Sequence, residues 1–412
     1  MIFIYRSILL FYGCAICFAS LFNKKAKAWC AGRKNYFDRL KKTYRRKGKT
    51  FWIHCASLGE FEQGRPVIEL LKKKNPGISI VLTFFSPSGY EVRKDYKEAD
   101  YVLYLPLDTP RNAKLFLEII RPDIVVFVKY EFWYFFLMAL KEREIPVFLI
   151  SAIFRHDQWF FKNCAGRFRK LLDVYTQIFV QDDDSKQLLK KHGIQNVQVA
   201  GDTRFDRVLT IARARKKISV AENFKTDHLT IVAGSTWKED EEYLFKYVNQ
   251  RIRPFKWIVA PHEIYQGHLK WIAGRLQVPF VFYSEAEQKG YAKADADVLV
   301  IDNIGMLSSL YAYADVAYIG GGFGNGIHNI LEAAVFGVPV VFGPNYRKFR
   351  EACELLSLKG AFSYKKEDEL TRLLSEFYDN EPFRKQAGQI CQKFVYNSGG
   401  SAEIIVNNLL MI

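Results

Sequence analysis

The chain has no cluster of cysteine and histidine at metal-ligand spacing. Its seven cysteines, Cys14, Cys17, Cys30, Cys55, Cys164, Cys353 and Cys391, are scattered through 412 residues, and only Cys14 and Cys17 lie close together, inside an apolar stretch. A structural zinc site needs clustered ligands, so none is expected, and scattered thiols fit a reducing, cytosolic compartment. There is no GK[ST] after a glycine loop, which excludes a Walker A nucleotide site. No GxGxxG is followed by an acid about twenty residues on, which argues against a dinucleotide dehydrogenase. Nucleic-acid modules, duplex-binding basic tails, internal repeats and low-complexity segments are also missing. No nucleic-acid partner is therefore expected.

What is present is a chain long enough for two domains, with 49% hydrophobic and 25% charged residues, a globular balance. Aromatic residues make up 16% of it, a high share that hints at surface set against lipid or sugar. Sixty Lys and Arg against 44 Asp and Glu leave a net charge of +16, which favours anionic lipid or phosphorylated partners.

The segment Ile8 to Phe22, ILLFYGCAICFASLF, follows Arg6 and runs directly into Lys24, Lys25 and Lys27. It is about as short as the apolar part of a signal peptide. The basic run and the cytosol-like thiols that follow favour an uncleaved anchor, with its lysines and the rest of the chain on the cytoplasmic face of the inner membrane. The competing reading is a buried N-terminal helix. Beyond it, apolar runs such as TFWIHCAS, ISIVLTFFS and DIVVFV alternate with amphipathic stretches, and the pattern resumes in HLTIVAGS, FKWIVAPHE and VAYIGGG. This is the βαβ grammar of parallel sheets. It predicts an α/β chain of two doubly wound domains, with residues 1–30 as the anchor, 31–207 as the first domain and 208–412 as the second. A charged linker is expected near residues 207–227, and the apolar tail SAEIIVNNLLMI is expected to pack back. Ligands in such folds bind outside the carboxyl ends of the strands, here in a cleft between the sheets.

Four tracts stand at strand ends. In HCASLGEF, Glu60 lies near a helix start, where free amides and the dipole stabilise an anion; a plain helix-start acid and a general base for a sugar hydroxyl both fit. In KYEFW, Glu131 is either a sugar-binding acid or a solvated loop acid beside core aromatics. In GDTRFD, the planar fork of Arg204 suits a carboxylate or phosphate, or is an ordinary surface arginine. The run GGGFGNGIHNILE reads as a glycine loop opening a helix, which can hold phosphate, with Glu332 one turn inside to accept bonds from a ribose. AGST and APHE are weaker signals in the same domain, and a His beside a Pro is as readily structural.

Taken in order, the anchor, HCASLGEF, YEFW, GDTRFD, AGST, APHE and GGGFGNGIHNILEAAVFGVPVVFGP resemble the 3-deoxy-D-manno-octulosonic acid (Kdo) transferases of lipopolysaccharide synthesis over nearly the whole chain. The resemblance implies a GT-B fold and inverting, metal-independent transfer of Kdo from CMP-Kdo to lipid IVA at the membrane, with no cofactor. It makes Glu60 the base and Glu131 and Arg204 supporting groups. Pro261, His262, Ile304, Gly305, Met306, Asn329, Ile330, Leu331 and Glu332 would hold CMP. Some positions depart from the family pattern. Arg204 stands where Lys is common, Met306 where an acid is common, and Trp237 where His is common; an Arg is missing between Pro261 and His262, and the acid that often precedes Glu131 is absent. Met306 is left with backbone or apolar contact only. The alternatives are a GT-B transferase using a UDP- or GDP-sugar, and a non-catalytic membrane-associated relative.

Overall fold

The computed structural model describes residues 2–161, 166–288 and 296–412. The chain divides into two compact units, one of residues 1–207 with 399–412, the other of residues 208–398. The first holds a seven-stranded sheet of β1 (Thr50–Cys55), β2 (Ser79–Phe84), β3 (Tyr101–Tyr104), β4 (Ile124–Val128), β5 (Val147–Ala152), β6 (Gln177–Val180) and β7 (Val197–Val199), ordered β3-β2-β1-β4-β5-β6-β7. The second holds β8 (Thr230–Thr236), β9 (Lys256–Pro261), β10 (Phe280–Phe282), β11 (Val298–Val300), β12 (Val316–Ile319), β13 (Val340–Phe342) and β14 (Ala361–Ser363), ordered β10-β11-β9-β8-β12-β13-β14. Every pairing is parallel. Helices cover both faces of such sheets, so their central strands are apolar throughout; all six residues of β1 and all five of β4 are buried.

Both sheets are doubly wound, and each has one point where the strand order reverses. In the first it lies between β1 and β4, which pair from Phe51↔Ile124 to His54↔Phe127. In the second it lies between β8 and β12, paired up to Gly234↔Ile319. Crevices for ligands open at these points.

The expected linker is not an extended segment. A helix over Thr203–Arg213 runs across the division between the units, and a second over Ser219–Phe224 buries Val220, Ala221 and Phe224. The tail also departs from its sequence neighbours. The helix Ser401–Leu410 packs Ala402, Ile405, Val406 and Leu409 into one cluster with Phe61, Val67, Ile68 and Leu71 of the helix Leu58–Lys74, in the first unit. Asp206 accepts hydrogen bonds from the amides of Gly400 (2.8 Å) and Ala402 (3.1 Å) and so caps that tail helix.

At the N-terminus the helices Ile2–Ala19 and Lys24–Arg33 form a pair bent by 120°, and no single helix among the described residues is long and apolar enough to cross a membrane. The pair is seated on the first unit. Tyr12 stacks on Phe85 at 6.1 Å between ring centres and meets Trp29 edge-on. The Arg33 guanidinium lies 3.9 Å from the centre of the Trp29 ring and donates to the carbonyls of Leu105 and Phe85. The six described cysteines are free thiols; Cys164 lies outside the described residues.

Candidate active site

In the first unit, β1 ends in His54-Cys55 and the chain turns through Ala56-Ser57 into the helix Leu58–Lys74. Glu60 sits in the first turn of that helix, partly exposed, and the Ser57 hydroxyl donates to its carboxylate. Ser57 stands at the cap position yet makes no cap bond, because its side chain serves Glu60 instead. Across the reversal point β4 ends at Val128, and Lys129 takes a left-handed conformation (φ 69°) that turns the backbone sharply into Tyr130-Glu131. Such strain in a residue other than glycine gathers at functional sites.

Glu131 is buried, which corrects the solvated-loop reading of KYEFW. The Trp133 indole donates to its carboxylate, and the Tyr175 hydroxyl donates to its carbonyl. His54 Nε2 lies 3.5 Å from the same carboxylate oxygen. A polar chain stands behind this contact. Trp52 Nε1 donates to Thr83 Oγ1 (2.8 Å), and Thr83 Oγ1 lies 2.8 Å from His54 Nδ1. Nδ1 also lies 3.1 Å from the Thr83 carbonyl oxygen, which can only accept, so an imidazole proton sits on Nδ1. Burial pushes the Glu131 carboxyl up; His54 and Trp133 oppose the rise, and the charge of Glu60 adds to it. The two glutamates thus feel each other. This crevice therefore pairs an accessible carboxylate with a buried one held by imidazole and indole.

Arg204 lies at the start of the helix Thr203–Arg213, and its fork is engaged by Asp202, with Nε at 2.8 Å and Nη2 at 2.7 Å from Oδ2. Thr203 Oγ1 donates to the Gln63 carbonyl (2.6 Å), which ties the GDTRFD tract to the helix that carries Glu60.

In the second unit the crevice is built differently. Ser235 is left-handed (φ 53°), and no side chain fits at Gly234, where Tyr311 and Leu307 fill the space. A Cβ on Gly320 would strike the Ser235 backbone, and one on Gly322 would lie 2.5 Å from the Gly343 amide. These glycines permit backbone to pack on backbone. The loop's amides are largely committed to the loop and its neighbours: Gly320 donates to Gly234, Gly321 to Asp240, Gly324 and Gly326 to Gly321, Ile327 to Asn345 and His328 to Gly320. The helix expected to follow is a single turn, Leu331–Ala334. The loop is accordingly braced by its own backbone bonds, and the helix that it opens is short. Asn329 Oδ1 accepts from the Leu331 amide, and Asn329 Nδ2 donates to Glu332 (3.1 Å). Ile330 and Leu331 are buried, so only their backbone can meet a ligand.

Behind the loop, Asp240 accepts from the amides of Gly321 (2.7 Å) and Trp237 (3.0 Å) and from the Tyr318 hydroxyl (3.0 Å). Glu241 accepts from Thr236 and faces His268 Nε2, both at 2.8 Å. In front, three rings stack where β8, β9 and β12 end: His262 lies 4.6 Å from Trp237 and 4.4 Å from His328, centre to centre. Trp237 Nε1 donates to His328 Nε2 (3.0 Å), so the proton of the neutral imidazole sits on Nδ1. Burial, with His262 adding to it, pushes His328 down to about 4. His262 itself is exposed. Ile304, Gly305 and Met306 line a separate cavity of about 500 Å³ with Lys216, Lys217 and Asn223, and Gly305 takes φ 99° at its rim.

Residues 33–207 match a family profile described as 3-deoxy-D-manno-octulosonic-acid transferase (kdotransferase). Curated relatives called 3-deoxy-D-manno-octulosonic acid transferase extend the likeness beyond that segment. The Aquifex aeolicus protein is 29% identical across 79% of this chain and 85% of its own. The Chlamydia muridarum protein is 26% identical across 86% and 84%, and that of Haemophilus influenzae 22% across 87% and 86%. This chain is similar to the Kdo transferases over most of its length.

The likeness supports a glycosyltransferase, and solved structures share its GT-B fold. A UDP-GlcNAc 2-epimerase from Neisseria meningitidis superposes with a TM-score of 0.62 at 18% identity, over 88% of this chain and all of that one. MurG from Acinetobacter baumannii gives 0.56 at 13%, over 88% and 100%. Within the Kdo transferase pattern, Trp237 is the departure with the plainest consequence. It brings a stacking face and an indole donor to the second crevice. Sequence reading missed His54, Thr83, Trp133, Asp240 and His328. The usable signal was a polar residue inside an otherwise apolar strand, as His54 is in TFWIHC.

Proposed function

We propose that this protein transfers Kdo from CMP-Kdo to lipid IVA by direct, inverting displacement without a metal. The observation that carries the reading is the pairing of Glu60 with Glu131 at the strand-order reversal of the first sheet. Glu60, partly exposed at a helix start, takes the proton from the acceptor hydroxyl as its oxygen attacks the anomeric carbon, and CMP leaves with the bonding pair. Glu131, braced by His54 and Trp133, shapes the field at Glu60. Arg204 supplies positive charge for the departing phosphate while Asp202 orients its fork. Pro261, His262, Asn329 and Glu332, with the backbone of Ile330 and Leu331 and the Ile304–Met306 segment, hold CMP.

The same reading places the protein on the cytoplasmic face of the inner membrane. Tyr5 and Tyr12 seat the helix Ile2–Ala19 on the first unit, while Phe11 (77%), Phe18 (69%), Leu21 (72%) and Phe22 (82%) are exposed. Arg6, Lys24, Lys25 and Lys27 flank them. An apolar surface beside lysines suits insertion into an anionic leaflet in the plane of the membrane, each basic residue near it contributing about 1 kcal/mol.

The test is transfer of labelled Kdo, generated as CMP-Kdo in the assay, to lipid IVA by detergent-solubilised wild type and by Glu60→Gln. Transfer by wild type, lost in a folded variant, supports donor, acceptor and base together. A folded, CMP-binding wild type that leaves lipid IVA unlabelled overturns the acceptor.

A further inference from the structure

One buried acid is used by neither crevice. Asp108 follows β3 in the loop before the helix Pro110–Ile120 and is fully buried. Its carboxylate accepts three hydrogen bonds: Tyr5 Oη at 2.7 Å and the Phe135 amide at 3.1 Å on Oδ2, and the Phe136 amide at 2.9 Å on Oδ1. The two amides belong to the first turn of the helix Tyr134–Glu142, whose own cap position, Trp133, makes no side-chain cap bond. It cannot, because an indole N–H only donates, here to Glu131, and a cap must accept from amides. Asp108 therefore caps from outside the helix that Trp133 leaves uncapped, and so fixes the segment on which Glu131 and Trp133 stand.

The third bond comes from the N-terminal helix. Tyr5 also meets the rings of Tyr134 and Phe135 at 6.2 and 6.0 Å. A Cβ on Gly13, two turns further along, would lie 3.2 Å from Leu107 in the Asp108 loop. The helix Ile2–Ala19 is thus fitted to the very loop and helix start that hold Glu131, and it is joined to them by a hydrogen bond that a mere membrane tether has no need of.

We infer that the helix Ile2–Ala19 is a working part of the catalytic unit, with Asp108 as the positioning residue through which Tyr5 sets the Glu131–Trp133 segment. This rests on the role proposed above for Glu131. Loosening the Tyr5 bond leaves Asp108 with two amides and no lateral fix, so the Glu131 segment opens more often. The protein folds and binds donor as before, but each bound complex turns over more slowly.

The experiment uses the full chain in detergent, with lipid IVA delivered in mixed micelles so that docking to a bilayer is not limiting. Tyr5→Phe removes one oxygen and keeps the ring. Expected are a kcat lowered roughly three- to tenfold, the weight of one hydrogen bond, an unchanged KM for the donor, and faster amide exchange confined to residues 129–137. Asp108→Asn lowers kcat further and Asp108→Glu recovers part of it. Phe11→Ser, on the exposed face of the same helix, weakens binding to anionic vesicles but leaves exchange at 129–137 and kcat in micelles alone. Unchanged exchange at 129–137 in Tyr5→Phe overturns the inference whatever the activity. Faster exchange with wild-type kcat overturns the positioning role. Faster exchange in a protein whose wild type transfers no Kdo leaves the coupling standing and counts against the proposed reaction instead.

Discussion

The two reversal points solve the same geometric problem with opposite chemistry. In the first sheet the crevice is acidic: Glu60 meets solvent and Glu131 is buried against His54 and Trp133. In the second, the carboxylates Asp240 and Glu241 lie behind the backbone and face inward to amides, a phenol and His268, while aromatic and imidazole rings form the front. A carboxylate in the first crevice is thus open to solvent, as the proposed reagent must be, and its counterpart in the second is masonry. Both crevices spend strain in the same way, with one left-handed residue other than glycine, Lys129 and Ser235, at each strand exit.

That contrast is easiest to break at its extremes. Glu60→Gln should lower transfer by about 10²- to 10⁴-fold, the span of a general base, while calorimetry finds donor affinity intact. A donor affinity that collapses with it would mean that the two crevices are not chemically separable. The second largest effect belongs to architecture. Asp240→Ala strands two amides and a phenol, each costing about 1–3 kcal/mol when buried unpaired, so urea unfolding should show a loss of about 3 kcal/mol or more. Glu131→Gln should spare stability and cost rate. If the two variants exchange phenotypes, the assignment of reagent and masonry is reversed.

Asp108 sharpens the comparison through pH. Burial raises its carboxyl from 3.8 to about 6, so between those values the folded chain keeps a proton that the unfolded chain has released. Stability therefore falls as pH rises from about 4 to 6, by at most about 3 kcal/mol. Asp108→Asn should flatten that slope in melting curves taken across the window. The smallest expected effect is at Trp237→Phe. Loss of the indole donor frees His328 Nε2 to take a proton, so its titration followed by NMR should move up from about 4, with donor affinity changed only a few-fold. A titration that stays in place would make the stack, rather than the hydrogen bond, the cause.

Much of this was legible before any coordinate. Buried parallel strands read as continuous apolar runs, so TFWIHC, DIVVFV and TIVAGST stand out, and the turns after them carry Glu60, Glu131 and the AGST loop. The strands that escaped, β6 and β14, have four and three residues. The glycine run is ambiguous in sequence because glycine serves two ends that look alike, exposing amides to a ligand and letting backbones touch; the partners of Gly320, Gly321 and Gly322 show the second. The stretch read as the linker holds helices that its composition does not announce. A charged helix such as Thr203–Arg213 resembles a loop until the surfaces it covers are known. Nothing local marks Asp108 either, since its partners Tyr5 and Phe136 are supplied by distant parts of the chain.

The tail helix Ser401–Leu410 closes the core behind Glu60 although it is made long after that core. The first unit's other residues end at Arg207, and at about 5–20 residues per second the ribosome needs roughly ten to forty seconds to reach Ser401. Throughout that interval Val67, Ile68 and Leu71 lack their cover. The unit that carries the proposed base is therefore finished only after residues 208–398 have been made, so a chain cut before Ser401 would bear the sequence of the crevice without its finished support.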